Sequence, residues 1–252
     1  MTETLALRTR ELTKVFNETT VVSGVDFEMK VGSRQALIGP NGAGKTTFIN
    51  LLTGNLPPTK GEIWINEHDV TGLSADRRVK SGLARTFQIN SLFRELSVIE
   101  HVQLAVAERM GGGARMIGGR SFKKATAEIA YDILESLKLE SAATSSIAQL
   151  SYGRQRLVEI AIALALQPSV LLLDEPAAGV APADSYAVFE LIERLPANVS
   201  VLFIEHDMKL VARFARKISV LVAGQIVIEG TPQEIASNSF VRDIYLGHRH
   251  NG

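Results

Sequence analysis

One nine-residue stretch restricts this chain more than any other: Gly39-Pro40-Asn41-Gly42-Ala43-Gly44-Lys45-Thr46-Thr47. A short apolar run, Ala36 to Ile38, leads into it. The residues after it, Thr46 to Thr53, take on helical character with Phe48, Ile49, Leu51 and Leu52 apolar and Gly54 as the stop. Strand, glycine loop and helix in that order match the phosphate-binding loop pattern G-x-x-x-x-G-K-[ST]. The glycines let successive backbone N–H groups turn toward phosphate oxygens. Lys45 supplies a point charge for β- and γ-phosphates, Thr46 offers a hydroxyl to Mg²⁺, and the helix N-terminus adds a favourable dipole. A chance match in a chain of average composition is on the order of 1%, and the flanking strand and helix lower it further. The alternative, a glycine turn that merely leads into a helix, is the weaker reading.

The rest of the chain supplies a sheet for that loop. Ala6 to Gly32 alternates apolar and polar residues and breaks at Gly24 and Gly32, as antiparallel strands do. Gly61 to Val70 reads as a further strand. Leu92 to about Leu139 is rich in helix formers and interrupted by Gly111-Gly112-Gly113 and Gly118-Gly119. A helix is expected from Arg154 to Gln167, stopped by Pro168. Val170 to Leu173, Ser200 to Ile204 and Ile218 to Val222 are continuous apolar runs, as in parallel strands buried on both faces. Strands alternating with helices indicate an α/β fold, and no internal repeat suggests two fused copies.

Composition excludes several classes. The chain of 252 residues has no cysteine, which rules out disulfides and thiolate metal sites. Its 27 basic and 27 acidic residues cancel, so the basic excess of a nucleic-acid binder is missing. The start, Met1-Thr2-Glu3-Thr4, lacks the pattern of a signal peptide. The most apolar stretch, Leu157 to Leu173, is interrupted by Glu159, Gln167 and Pro168, whereas a spanning helix needs ~20 nearly unbroken apolar residues. Any membrane role is therefore expected to come through partners.

Asp174-Glu175 closes the run Val170 to Leu173, which puts carboxylates at the C-terminal end of a buried parallel strand, where α/β folds bind ligands. Alone, such a pair is more often a solvated loop or helix cap. Together with the phosphate loop it suits Asp174 holding Mg²⁺ through its water shell and Glu175 polarising an attacking water. Leu150-Ser151-Tyr152-Gly153-Arg154-Gln155 opens the expected helix, with Ser151 as N-cap and Gly153 permitting close backbone approach.

In this order the motifs resemble the ABC transporter ATPase family over essentially the whole chain. The fold so implied is an α/β P-loop ATPase with a mixed parallel core sheet and an N-terminal antiparallel segment. It forms one domain over 1–252 with a helical subdomain at about residues 89–165. Leu150 to Arg154 looks like the family signature, usually Leu-Ser-Gly-Gly-Gln. Ser151 and Gly153 carry over, while Arg154 stands where glutamine is usual. The resemblance implies that two ATPase subunits, identical or not, dimerise head to tail, with each ATP between one phosphate loop and the other signature. Phe16 matches the aromatic that stacks on adenine. Gln88, in Arg85-Thr86-Phe87-Gln88, matches the residue that senses Mg²⁺ and the attacking water, and His206 the switch histidine at the γ-phosphate. Ala178 to Ala181 occupies the dimer-contact loop, with Ala181 where many members have Asp or Asn. ATP and Mg²⁺ are the implied cofactors.

Within the family, Leu52-Thr53-Gly54-Asn55-Leu56-Pro57-Pro58-Thr59-Lys60, Leu83 to Phe87, Leu92 to Val98, the insertion around 108–122 and Tyr245-Leu246-Gly247 resemble ATPases of branched-chain amino acid uptake. The implied partners are integral membrane permease subunits and, indirectly, an extracytoplasmic binding protein, with no nucleic acid. The implied location is the cytoplasmic face of the plasma or inner membrane. Segment Ile89 to Glu100, with Leu92 and Phe93, is expected to line the groove for a permease helix. An exporter of lipopolysaccharide type and an importer of urea or small organic acids share most of these motifs.

Overall fold

A computed structural model of the chain describes residues 4–86, 92–112 and 119–246. The chain divides into two compact units: Met1–Leu83 with Ser169–Glu175 and Glu193–Gly252, and Ala84–Pro168 with Pro176–Ile192.

The first unit carries both sheets apart from Ala84 and Arg85 of one edge strand. An antiparallel sheet is built from β1 (Leu5–Phe16), β2 (Thr19–Lys30), β4 (Lys60–Ile65) and β5 (His68–Asp69) in the order β2-β1-β4-β5. The expected break at Gly24 lies instead at Asn17-Glu18, whose positive φ values of 41° and 71° make the hairpin turn. The strand expected over Gly61 to Val70 is likewise a hairpin, turning at Asn66-Glu67. In both cases a two-residue polar turn, without glycine, adopts the left-handed geometry that suits strand twist.

The second sheet runs β10-β9-β3-β8-β7-β6, with β3 (Arg34–Ile38), β6 (Leu83–Arg85), β7 (Val170–Asp174), β8 (Ser200–Ile204), β9 (Lys217–Val222) and β10 (Gln225–Gly230). β9, β3, β8 and β7 are mutually parallel, and β10 returns antiparallel on β9. β3 and β8 are buried along their whole length and β7 along all but Asp174, as their unbroken apolar runs predict. Two polar residues of β3 are buried with most of their polar atoms satisfied, although Arg34 Nε has no partner among the described residues. Arg34 donates to the carbonyls of Val199 and Leu195 at 2.5 and 2.9 Å, and Gln35 donates to Ser219 Oγ at 2.8 Å.

Helix α1 (Lys45–Thr53) packs into this core through Phe48, Ile49, Leu51 and Leu52, and Phe48 meets Phe27 of β2 edge-on at 5.7 Å. Full burial of one such side chain is worth about 2–3 kcal/mol. Its other end is closed by Arg78 of α2 (Ala75–Lys80), a guanidinium only 1% exposed. It donates to Leu51 O, Leu52 O, Thr71 O and Leu73 O, all between 2.5 and 3.1 Å, where the helix dipole favours a cation.

The second unit is helical: α3 (Val98–Arg109), α4 (Arg120–Ser136), α5 (Tyr152–Ala165) and nearly all of α6 (Pro182–Glu193). α3 opens on a capping box in which Ser97 and Glu100 exchange hydrogen bonds. α5 buries an ion pair between Arg156 and Glu159 at 2.9 Å. The first unit ends with α7 (Met208–Phe214), α8 (Pro232–Ser237) and α9 (Ser239–Leu246). Of the glycine-run residues, Gly113 and Gly118 lie outside the described residues.

Candidate active site

The loop between β3 and α1 turns at Pro40, whose carbonyl accepts the Ala43 N–H at 3.2 Å. Two of its glycines are required by close neighbours. Gly39 lies against the Leu221 carbonyl, which any Cβ would strike. Gly44 has a φ of 102°, and a Cβ there would fall 2.7 Å from Val21 O. Hydrogen bonds from Gly224 N–H to Ala43 O and from Ser23 N–H to Gly224 O hold the loop to the β9–β10 turn and β2.

Lys45 is nearly buried, and its Nζ donates to Gly39 O and Pro40 O at 2.7 and 3.1 Å. An ammonium has three donors, so the loop's own carbonyls leave one for a ligand. Burial lowers the Lys45 pKa, while Glu175 and then Asp174 pull it back up. At the α1 N-terminus no side chain caps the helix and no acidic residue occupies its first turn, so its free N–H groups and dipole favour an anion.

β7 and β8 bring the carboxylates and the histidine. Asp174 ends β7, half-buried. Glu175 follows with a φ of 50° and donates its N–H to Ile204 O of β8 at 3.0 Å. Left-handed backbone at a non-glycine residue costs about 1–3 kcal/mol and persists only where neighbours enforce it. Here it turns the Glu175 carboxylate onto His206, whose Nε2 lies 2.9 Å from Glu175 Oε1.

A cleft of about 260 Å³ is lined by Asn41 to Thr47, Asp174, Glu175 and His206 together with Val21 and Ile204. It thus gathers most of the expected site residues. Gly39 and Pro40 serve it through their carbonyls on Lys45. Val21 and Ile204, apolar strand residues, carry no sequence signal for this role. The volume is below the range of whole-ligand pockets, about 300–1,000 Å³, and suits a phosphate chain. Phe16 does not line the cleft; it closes β1, 40% exposed, with Lys14 Nζ 5.1 Å from its ring centroid. Gln88 lies outside the described residues.

Ser151 and Gly153 belong to the second unit. Ser151 has N-cap backbone geometry, yet its hydroxyl makes no capping hydrogen bond. A Cβ at Gly153 would lie 3.3 Å from both Val180 and Asp184, and one at Gly179 would lie 2.9 Å from the Tyr152 ring. Arg154 is exposed. The neighbouring Gln155 turns its amide back, donating to Ile147 O and Leu150 O at 3.2 and 3.0 Å.

The donor set also bears on a metal. Among the described residues no cluster of three or more His, Asp or Glu could hold an ion by itself. Beside Thr47 and Glu175, the cleft offers the hydroxyl of Thr46 and the strand-end carboxylate of Asp174. Two hard oxygen donors beside a phosphate site suit Mg²⁺, which keeps its waters and binds through one or two carboxylates plus phosphate.

The description "ABC transporter" fits the sequence over residues 22–178. The chain belongs to the ABC transporter family. Among its relatives, the high-affinity branched-chain amino acid transport ATP-binding protein LivG of Salmonella typhimurium is 40% identical over 233 residues, covering 90% of this chain and 91% of LivG. The ADP conformation of MJ1267, an ATP-binding cassette of an ABC transporter, superimposes with a TM-score of 0.84 at 31% identity, covering 96% of this chain and 99% of that one. A dimeric post-hydrolysis state of the cassette MJ0796, bound to ADP and Pi, aligns with a TM-score of 0.73 at 26% identity over 90% of this chain and 98% of that one. This ABC chain is an ATP-hydrolysing transporter subunit with the cassette fold. Cassettes of this family bind nucleotide and work as dimers with membrane permeases. Among the described residues of this cassette, no helix is long and apolar enough to cross a membrane.

Proposed function

We propose that this chain powers an importer of branched-chain amino acids, binding Mg-ATP at the 39–47 loop and hydrolysing it with Glu175 as base. The observation that carries the chemistry is the Glu175–His206 contact of 2.9 Å in the same cleft as Lys45. Lys45, held by two loop carbonyls, neutralises the β- and γ-phosphates. The free N–H groups at the start of α1 bind phosphate oxygens. His206 orients the Glu175 carboxylate and reaches the γ-phosphate, and Glu175 accepts a proton from the attacking water. Thr46 and Asp174 would hold Mg²⁺, with Gln88 completing the set. The ion would offset charge on the β- and γ-oxygens.

Phe16 stacks on adenine. Ser151, whose hydroxyl is left free by its own helix, and Gly153 meet the nucleotide of a partner cassette, identical or a sister ATPase. The whole of 1–252 acts as one ATPase domain, within which residues 89–165 form the moving helical subdomain. That subdomain docks on permease subunits at the cytoplasmic face of the membrane, and an extracytoplasmic binding protein delivers cargo to them. Leu92 is only 8% exposed while Phe93 is 66% exposed, so the docking contact of segment 89–100 falls on Phe93.

The cargo rests on likeness to LivG, 40% identical. It is tested by uptake of labelled leucine in cells lacking this chain alone. Wild type should restore uptake and Glu175→Gln should not, since loss of a positioned base slows turnover ~10²–10⁴-fold while ATP binding survives. Unchanged uptake on deletion overturns the branched-chain assignment and moves the search to urea or organic acids or to export. A Glu175→Gln chain that hydrolyses ATP at the wild-type rate overturns the base.

A further inference from the structure

Segment 92–97 is held in the second unit by one buried imidazole. His101, 5% exposed, sits one turn into α3. Its Nδ1 lies 2.9 Å from Ser97 O, and its Nε2 lies 3.0 Å from the Phe93 backbone nitrogen. A carbonyl only accepts and a backbone N–H only donates. The two contacts therefore fix the neutral tautomer with the proton on Nδ1 and the lone pair of Nε2 facing Phe93. The Phe93 ring tilts over the imidazole at 30° and 6.0 Å, yet Phe93 as a whole remains 66% exposed. Leu96 N–H donates to Phe93 O at 3.2 Å, and Leu92 is buried. Behind this, Val98 and Ile99 donate their N–H groups to Ser145 O and Ala143 O.

An exposed phenylalanine whose backbone is tied to a buried side chain is prepared for contact, because the ordering cost of association is already reduced. Arg94 and Glu95, both exposed, flank it, giving an apolar centre with charged edges. Transport by a chain with no spanning helix among its described residues requires a contact with a membrane subunit, and the occupant of this knob is a helix of that permease.

We propose that His101 is the positioning residue of this contact, fixing Phe93 through the hydrogen bond to Nε2; this rests on the docking reading given above. The test uses cells lacking the chain, restored with wild type, Phe93→Glu, His101→Phe or His101→Gln, with leucine uptake, the membrane-bound fraction of the chain and the ATPase rate of the purified protein measured for each. His101→Phe keeps the ring but neither hydrogen bond. His101→Gln places an amide oxygen where Nε2 stood and can still accept from Phe93. Expected is loss of uptake and membrane association with Phe93→Glu, a fall of about tenfold with His101→Phe, as for one or two lost hydrogen bonds, and recovery to within about twofold with His101→Gln. The purified ATPase rate should stay within about twofold throughout.

If Phe93→Glu abolishes uptake but His101→Phe does not, docking stands and the role of His101 falls. If His101→Phe and His101→Gln fall alike, the accepted hydrogen bond is not the cause and the proposal fails. If Phe93→Glu retains uptake and membrane association, the docking reading fails and takes the proposal with it. In wild type, ¹⁵N spectra should show the His101 proton on Nδ1 with a protected Phe93 amide; the opposite tautomer overturns the assignment without any variant.

Discussion

Glu159→Gln should change how the stability of this protein depends on pH. Glu159 is 1% exposed; Arg156 reaches one of its oxygens at 2.9 Å, and Oε1 has no hydrogen-bond partner among the described residues. Burial raises its pKa from 4.5 to about 7, against the opposing pull of Arg156. Below pH 4.5 the group is protonated in both the folded and the unfolded chain, and above about 7 it is ionised in both. Between those limits the folded chain keeps a proton that the unfolded chain has released. Unfolding then releases that proton, so stability falls as pH rises. The gap of about 2.5 pH units, at about 1.4 kcal/mol per unit, makes the fall about 3 kcal/mol. Glutamine cannot titrate. Weakening the Arg156 contact adds an offset that is constant with pH, because Arg156 stays charged throughout. Urea denaturation of both proteins from about pH 4.5 to 7.5 isolates the effect. The difference in unfolding free energy should move about 3 kcal/mol in favour of the variant across that window. A difference that is flat with pH would refute the buried-carboxyl argument.

Arg78→Met removes a buried guanidinium from four carbonyls and should destabilise by about 1–3 kcal/mol, the scale for leaving a buried acceptor unsatisfied; an unchanged urea midpoint would refute it. Phe16→Ala should weaken ATP binding by roughly tenfold or more, the scale of one base–aromatic stack, while Phe16→Tyr holds it. Equal fluorescent-nucleotide affinities for the two variants would rule out stacking at Phe16.

The parts of the fold that were legible in the sequence are those written in local pattern. The phosphate loop with its stop at Gly54, and the runs Val170 to Leu173 and Ser200 to Ile204, declare themselves because a strand buried on both faces has no polar side to show. Turn geometry was less legible: the hairpins at Asn17-Glu18 and Asn66-Glu67 carry no glycine, and Gly24 drew the break to the wrong place. The candidate site residues Asp174 and Glu175 could be named from their place at the end of an apolar run, and His206 from the family resemblance. The left-handed backbone of Glu175 could not, because it depends on a hydrogen bond to Ile204, nearly thirty residues away in sequence. Charge misleads in the same way at Arg78, where composition suggests a solvated face and pairing with the end of α1 makes the residue interior. Leu92 and Phe93 are adjacent and equally apolar, so only the tie to His101 tells which of them faces out.

Glu175 and His206 stand one and two residues beyond the ends of the neighbouring strands β7 and β8, so the sheet fixes where the acid and the imidazole leave it. Strand spacing of about 4.8 Å is set by backbone hydrogen bonds and does not adjust to suit a side chain. On the acid's side, the hydrogen bond from Glu175 N–H to Ile204 O ties the backbone to that spacing as well. Side-chain length is therefore the first variable for tuning the contact, and the site inherits part of the stiffness of the sheet.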